Sequence, residues 1–143
     1  MCIRDRTIDG EWIFTDHLAL VKGFQLHGGD LTQIAEIYLG TAYLYGGRSG
    51  FGIDCTGLVQ QCLRAAGHPC PPRDSGDQEG SFGKEVKIED IQRNDVVYFK
   101  GHVGIMIDSE NILNATARHM TTLIEPLKTL EKDYGGITHI ARV

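Results

Sequence analysis

Apolar residues Leu31, Ile34, Ala35 and Tyr38 recur at the spacing of one helix face, between a Gly29-Asp30 break and Gly40. The spacing predicts a helix over 31–39, with Asp30 as N-cap and Gly40 just past the end. A second stripe, Leu58, Val59, Cys62, Leu63 and Ala66, stops at Gly67 and predicts a helix over 56–66, with Asp54 as N-cap. From Asp95 onward the apolar runs are short and β-rich: Asp95–Phe99, His102–Asp108 and Ile112–Ala115. Lys100-Gly101 and Ser109-Glu110-Asn111 separate them, lengths suited to antiparallel hairpins. A strand near Thr121–Glu125, a short helix near Leu127–Asp133 and a last strand over Ile137–Val143 follow. Residues 68–92, with Pro69, Pro71, Pro72 and Arg73-Asp74-Ser75-Gly76, read as loop and as a wall beside the second helix. Upstream, Glu11-Trp12-Ile13-Phe14 reads as a short strand and Leu18–Val21 as another apolar stretch. The opening MCIRDR fits no element and reads as a truncation or cloning scar. Helices first and a meander after define an α+β domain, its helices packed on an antiparallel sheet.

The 143 residues suit one core, large enough to bury roughly two thirds of the unfolded surface without a metal or disulfide. A net charge of −5, with basic residues scattered, excludes a nucleic-acid footprint. No window approaches a membrane span, and no apolar export segment is seen. The four cysteines, at 2, 55, 62 and 70, form no CxxC pair, which argues against structural zinc and a disulfide framework. Cys62, on its helix stripe, reads as a small buried hydrophobe.

The chemistry concentrates in Gly46–Gly57, GGRSGFGIDCTG. Its glycines match neither GxGxxG nor GK[ST], so nucleotide binding is excluded. Cys55 falls at a helix N-terminus, where free backbone N–H groups and the helix dipole favour thiolate. A thiol nucleophile needs a base, and the base needs a third group to hold its ring. His102 opens a strand after Lys100-Gly101, at a sheet edge. Asn114 lies near the end of the next strand, beside the start of the one carrying His102. Both side chains share a face if paired residue numbers sum to an even value; an odd register undoes the assignment. His119 is the alternative holder.

At these residues the chain resembles a known family. Tyr38 through Gly47, Asp54-Cys55-Thr56-Gly57-Leu58-Val59-Gln60, Pro72-Arg73-Asp74-Ser75, Asn94 through Phe99 and Gly101-His102-Val103-Gly104-Ile105 are similar to the NlpC/P60 family of papain-like cysteine peptidases. The match runs over about residues 31–143 in motif order. It implies a papain-like fold and hydrolysis of the γ-D-glutamyl bond to a diamino acid in bacterial cell-wall (murein) peptides, without metal or organic cofactor. Cys55 is then the nucleophile, His102 the base and Asn114 the third polar residue, where the family more often has His. The resemblance also implies that Tyr43 supports the nucleophile or oxyanion. It lines the substrate groove with Asp54, Thr56, Arg73, Asp74 and Ser75. For Asp54, capping its helix and holding a substrate amine stand as equal alternatives. Residues 10–18 resemble the end of a bacterial SH3-like domain, which assigns 1–28 to a remnant of that domain and its linker and 29–143 to the catalytic domain. The expected partner is a murein peptide, and the expected compartment is the cytoplasm, in muropeptide recycling, ahead of the envelope. An amidase or acyltransferase on the same scaffold, or a silent wall-binding module, are the competing readings.

Overall fold

The computed structural model describes residues 29–143, together with the backbone of two short strands upstream, β1 (Arg4–Arg6) and β2 (Trp12–Phe14). These two pair antiparallel, Asp5 opposite Ile13. The MCIRDR segment therefore does contribute a strand; its charged triplet carries no apolar signal to reveal one. The apolar stretch Leu18–Val21, and with it most of the SH3-like assignment, lies outside the described residues.

Helix α1 (Leu31–Glu36) starts where Asp30 accepts from the backbone N–H groups of Thr32 and Gln33. It ends three residues before the expected 39. Tyr38 and Leu39 donate to Ala35 and Glu36, three residues back, and Gly40 turns away at φ +78° to donate to Thr122 O. The last turn has tightened and been captured by the sheet. Two short strands, β3 (Arg48–Ser49) and β4 (Gly52–Ile53), form a hairpin before helix α2 (Cys55–Ala65). The stretch read as loop contains helix α3 (Ser75–Gln78), strand β5 (Lys84–Glu85) and a 3₁₀ turn at Ile88–Asp90.

The meander then runs through β6 (Val96–Phe99), β7 (His102–Met106), β8 (Asn111–Thr116) and β9 (Thr121–Pro126), followed by helix α4 (Leu127–Tyr134) and β10 (His139–Arg142). The sheet order is β5-β10-β6-β7-β8-β9, antiparallel throughout. Alternation along the strands divides the core. Val96, Tyr98, Val103, Ile105, Leu113 and Ala115 pack with α1 and α2 on one face. Val97, Phe99, Met106, Ile112 and Ile140 pack with Leu127 and Leu130 of α4 on the other.

Two polar ties fix the helices and strands to one another. Asn94, at φ +74°, accepts from the backbone N–H and the hydroxyl of Thr32, both at 2.9 Å, locking the start of α1 to the approach of β6. Asp95, fully buried, takes two bonds from Arg142, at 2.7 and 2.8 Å, which joins β10 to β6. A buried carboxylate left without such a partner would be costly.

Candidate active site

Glycines at 47 and 57 let two backbones touch at the start of α2. A Cβ on Gly57 would sit 2.3 Å from Gly47 O, and one on Gly47 would sit 2.5 Å from Gly52 O. The glycine-rich run is thus a packing device, which seats the N-terminus of α2 against the β3–β4 hairpin. Asp54 caps that helix: Oδ1 accepts from Gly57 N–H at 2.8 Å and from the Thr56 hydroxyl at 3.2 Å. Oδ2 accepts from Gly46 N–H at 2.7 Å and from the Arg73 guanidinium, which also bonds the Thr56 hydroxyl. Burial raises the Asp54 pKa, but the bonds from Arg73, Gly57 and Gly46 outweigh it and hold the carboxyl below its ordinary value. With both oxygens occupied, a substrate amine must compete with Arg73 for this group. Capping is its structural role.

Cys55 follows, only 9% exposed, at the floor of a cleft of about 400 Å³. The cleft is lined by Tyr43, Tyr45, Gly46, Asp54, Thr56, Arg73, Asp74, Ser75 and Gly101. It therefore gathers Cys55, Tyr43 and all five residues assigned to the groove, and adds Tyr45, Gly46 and Gly101. Tyr43 reaches it because its strand segment is pinned on both sides: Tyr43 N–H donates to Met120 O at 3.0 Å, and Leu44 N–H donates to Ile53 O at 3.1 Å. The opposite wall hangs on two buried amides to which the sequence alone assigns no role. Gln60 donates to Pro71 O at 2.8 Å, while Gln78 donates to Pro72 O at 3.0 Å and accepts from Tyr98 Oη at 3.1 Å. Gln60 carries a signal, a glutamine on the buried face of α2, whereas Gln78 falls in the stretch read as loop, where no helix face marks it.

The thiol does not behave as its helix position alone suggests. Burial, and then the Asp54 carboxylate, push the Cys55 pKa up, against the opposing pull of the Thr56, Val103 and Cys55 backbone N–H groups. Desolvation exceeds the helix-terminus effect, so the resting group is a thiol.

His102 is 3% exposed, and burial lowers its pKa to about 4, against a smaller upward pull from Asn114. The ring is therefore neutral at pH 7. Its Nε2–H donates to Asn114 Oδ1 at 2.9 Å, since an amide oxygen only accepts. Nδ1 is left as the unprotonated nitrogen. The pairs Ile105–Leu113 and Met106–Ile112 sum to an even value, the register that puts His102 and Asn114 on one face. His119 sits exposed in the β8–β9 turn, away from this bond.

The parity also has a cost. Val103 and Ile105 face α2, whereas His102 and Met106 lie on the α4 side, where His102 stacks on Tyr134. Among the described residues no hydrogen bond joins Cys55 to His102. The thiol contacts β7 through Val103 N–H, one residue beyond the base. Thiol–base bonds are commonly long until substrate is bound.

Among the described residues no group of three or more His, Cys, Asp or Glu side chains is arranged to hold a metal ion. None of the described helices is long and apolar enough to cross a membrane.

A cysteine at a helix start, a histidine on the adjoining antiparallel sheet and an amide on the next strand define a papain-like α+β domain. The NlpC/P60 family model matches residues 40–135, and the chain belongs to that family. A γ-D-glutamyl-L-lysine dipeptidyl-peptidase of Bacillus subtilis is 37% identical over 94 residues, covering 60% of this chain and 31% of that protein. A probable endopeptidase of Haemophilus influenzae is 36% identical over 95 residues, covering 62% of this chain and 58% of that protein. The crystal structure of an NlpC/P60 family protein from Bacillus cereus superposes with a TM-score of 0.73 at 24% identity, covering 97% of this chain and 49% of that one. The chain spans about a third of the length of its two Bacillus dipeptidyl-peptidase relatives.

Proposed function

We propose that this chain is a cysteine peptidase that hydrolyses the γ-D-glutamyl–diamino acid bond of murein peptides by acyl transfer. Cys55 Sγ attacks the γ-glutamyl carbonyl carbon as His102 Nδ1 takes the thiol proton. The resulting imidazolium, held through Nε2–H by Asn114, gives a proton to the departing amine, and a thioester remains. Water then attacks the thioester with His102 as base, the acid is released, and the proton returns to sulfur. Backbone N–H groups at the start of α2, with Tyr43, stabilise the oxyanion.

One observation carries the reading: the 2.9 Å bond from His102 Nε2–H to Asn114 Oδ1, which leaves Nδ1 as the basic nitrogen. Membership of the family supports it, as does the name of the Bacillus subtilis relative, which specifies a γ-D-glutamyl bond. Asn114 is the orienting residue in this reading, Tyr43 supports the oxyanion, and Asp54, Thr56, Arg73, Asp74 and Ser75 line the groove. The same reading takes residues 1–28 as the remnant of an SH3-like domain and its linker, and 29–143 as the catalytic domain.

Mass spectrometry after incubation with L-Ala-γ-D-Glu-diaminopimelate tests it. The native chain releases free diaminopimelate and Cys55→Ala does not. Cleavage by Cys55→Ala, or release of any other product, rejects the assignment.

A further inference from the structure

Asn114 has an amide whose two ends are nearly isosteric, and only one orientation serves the chemistry. With Oδ1 toward His102, the ring must carry its proton on Nε2 and Nδ1 is basic. With Nδ2 toward it, the ring must accept at Nε2 and carry its proton on Nδ1, the wrong tautomer for a base acting through Nδ1. Asn114 is fully buried, so water cannot decide between them. What lies on its far side does. Asn114 Nδ2 donates at 2.9 Å to Glu125 Oε1, on the neighbouring strand and 8% exposed. The same oxygen accepts from Arg118 at 2.6 Å. Arg118 also pairs with Asp133 and lies 5.4 Å from the centre of the Tyr134 ring, which ties the network to the end of α4.

The Glu125 oxygen that takes the Arg118 guanidinium presents an acceptor to Asn114, so the group facing it is the NH₂ end of the amide. We infer that Glu125, braced by Arg118, is a positioning residue that sets the orientation of Asn114 and, through it, the tautomer of His102. The inference deepens the peptidase reading and rests on His102 being its base. The conducting path is short: carboxylate, amide, imidazole, each linked at 2.9 Å.

Nitrogen NMR of the labelled protein near neutral pH reports which ring nitrogen of His102 carries the proton. Native protein is expected to show one tautomer, protonated at Nε2. Glu125→Leu is expected to show both tautomers and a kcat lower by at least about tenfold, with KM little changed. Glu125→Gln, whose Oε1 can accept from both Asn114 and Arg118, is expected to restore the single tautomer and a kcat within about threefold of native. In an Asn114→Leu background, adding Glu125→Leu is expected to cost no further kcat. A native proton on Nδ1, a single Nε2–H tautomer in Glu125→Leu, or an additional loss in the double variant overturns the proposal. If Glu125→Leu does not fold, the native and Glu125→Gln spectra still decide: Nδ1–H in either overturns it, and Nε2–H in both supports it. Full turnover by His102→Ala would reject the peptidase mechanism while leaving the Glu125–Asn114 geometry untouched, so the two failures are distinct.

Discussion

The ring of His102 lies flat on the ring of Tyr134, with centroids 4.1 Å apart and planes 7° from parallel. Tyr134 is the last residue of α4, and its hydroxyl is anchored 3.1 Å from the Thr116 hydroxyl. The helix on the far face of the sheet therefore presses on the base and shields it from water. Tyr134→Ala is expected to lose about 1 kcal/mol of stacking and to rehydrate the imidazole. Its pKa should rise from about 4 toward 6.5. Tyr134→Phe keeps the stack and should titrate like the native protein. An NMR titration of His102 that is unchanged in Tyr134→Ala would remove Tyr134 as a source of the desolvation.

The depressed His102 pKa makes folding stability depend on pH. The unfolded chain takes up a proton near pH 6.5 and the folded one only near 4, so the unfolded state binds more protons in between. Stability is therefore fully present above pH 6.5 and is lost as pH falls through this window, by on the order of 3 kcal/mol. Urea midpoints should drop more steeply between pH 7 and 4 for the native protein than for His102→Gln. Equal slopes would contradict the assignment.

The raised Cys55 pKa implies a resting thiol rather than a standing thiolate–imidazolium pair. Alkylation by iodoacetamide should climb with pH toward and beyond the ordinary thiol value of 9.0, with no plateau at acid pH. A plateau near pH 5 that disappears in His102→Ala would show an ion pair instead.

Asp54 couples the cap of α2 to the cleft wall. Asp54→Ala should cost about 1–2 kcal/mol, the value of a good N-cap, read from urea midpoints. Arg73→Met should leave the cap bond from Gly57 in place and let the Asp54 pKa rise, because the largest downward pull on it is gone. Unchanged titration of Asp54 in Arg73→Met would mean that the backbone bonds alone hold it down.

Much of this architecture is written locally. Asp30 is legible as a cap because a carboxylate before an apolar stripe suits that position; Asp54 is legible as a candidate cap on the same ground, but only its bonds to Gly57 and Arg73 set capping ahead of holding a substrate amine. The juxtaposition of His102 with Asn114 is legible only up to parity: the short loop brings the two strand ends together, and the observed pairing of Ile105 with Leu113 supplies the even sum that puts both on one face. Other features depend on distant chain. Glu125 and Tyr134 acquire their relation to His102 only once β9 and α4 are folded back, and nothing in their neighbourhoods marks them. Helix α1 ended early because the sheet captured Gly40, a contact eighty-two residues away in sequence at Thr122. The state of Cys55 departs from the helix-start expectation for the same reason: a helix start can be seen in a sequence, but the depth of burial that overrides it cannot.

The candidate site is split along the chain: Tyr43, Cys55 and the Arg73-Asp74-Ser75 wall come from its earlier part, and His102, Asn114, Glu125 and Tyr134 from its later part. In synthesis from the N-terminus, the thiol emerges well before its base, and the base before the helix that shields it. A nascent or truncated chain ending short of β8 would carry a cysteine in a cleft but no oriented imidazole. Under the proposed mechanism, hydrolysis cannot begin on an unfinished domain, because the order of the genetic message makes completion of the fold the last step in assembling the site.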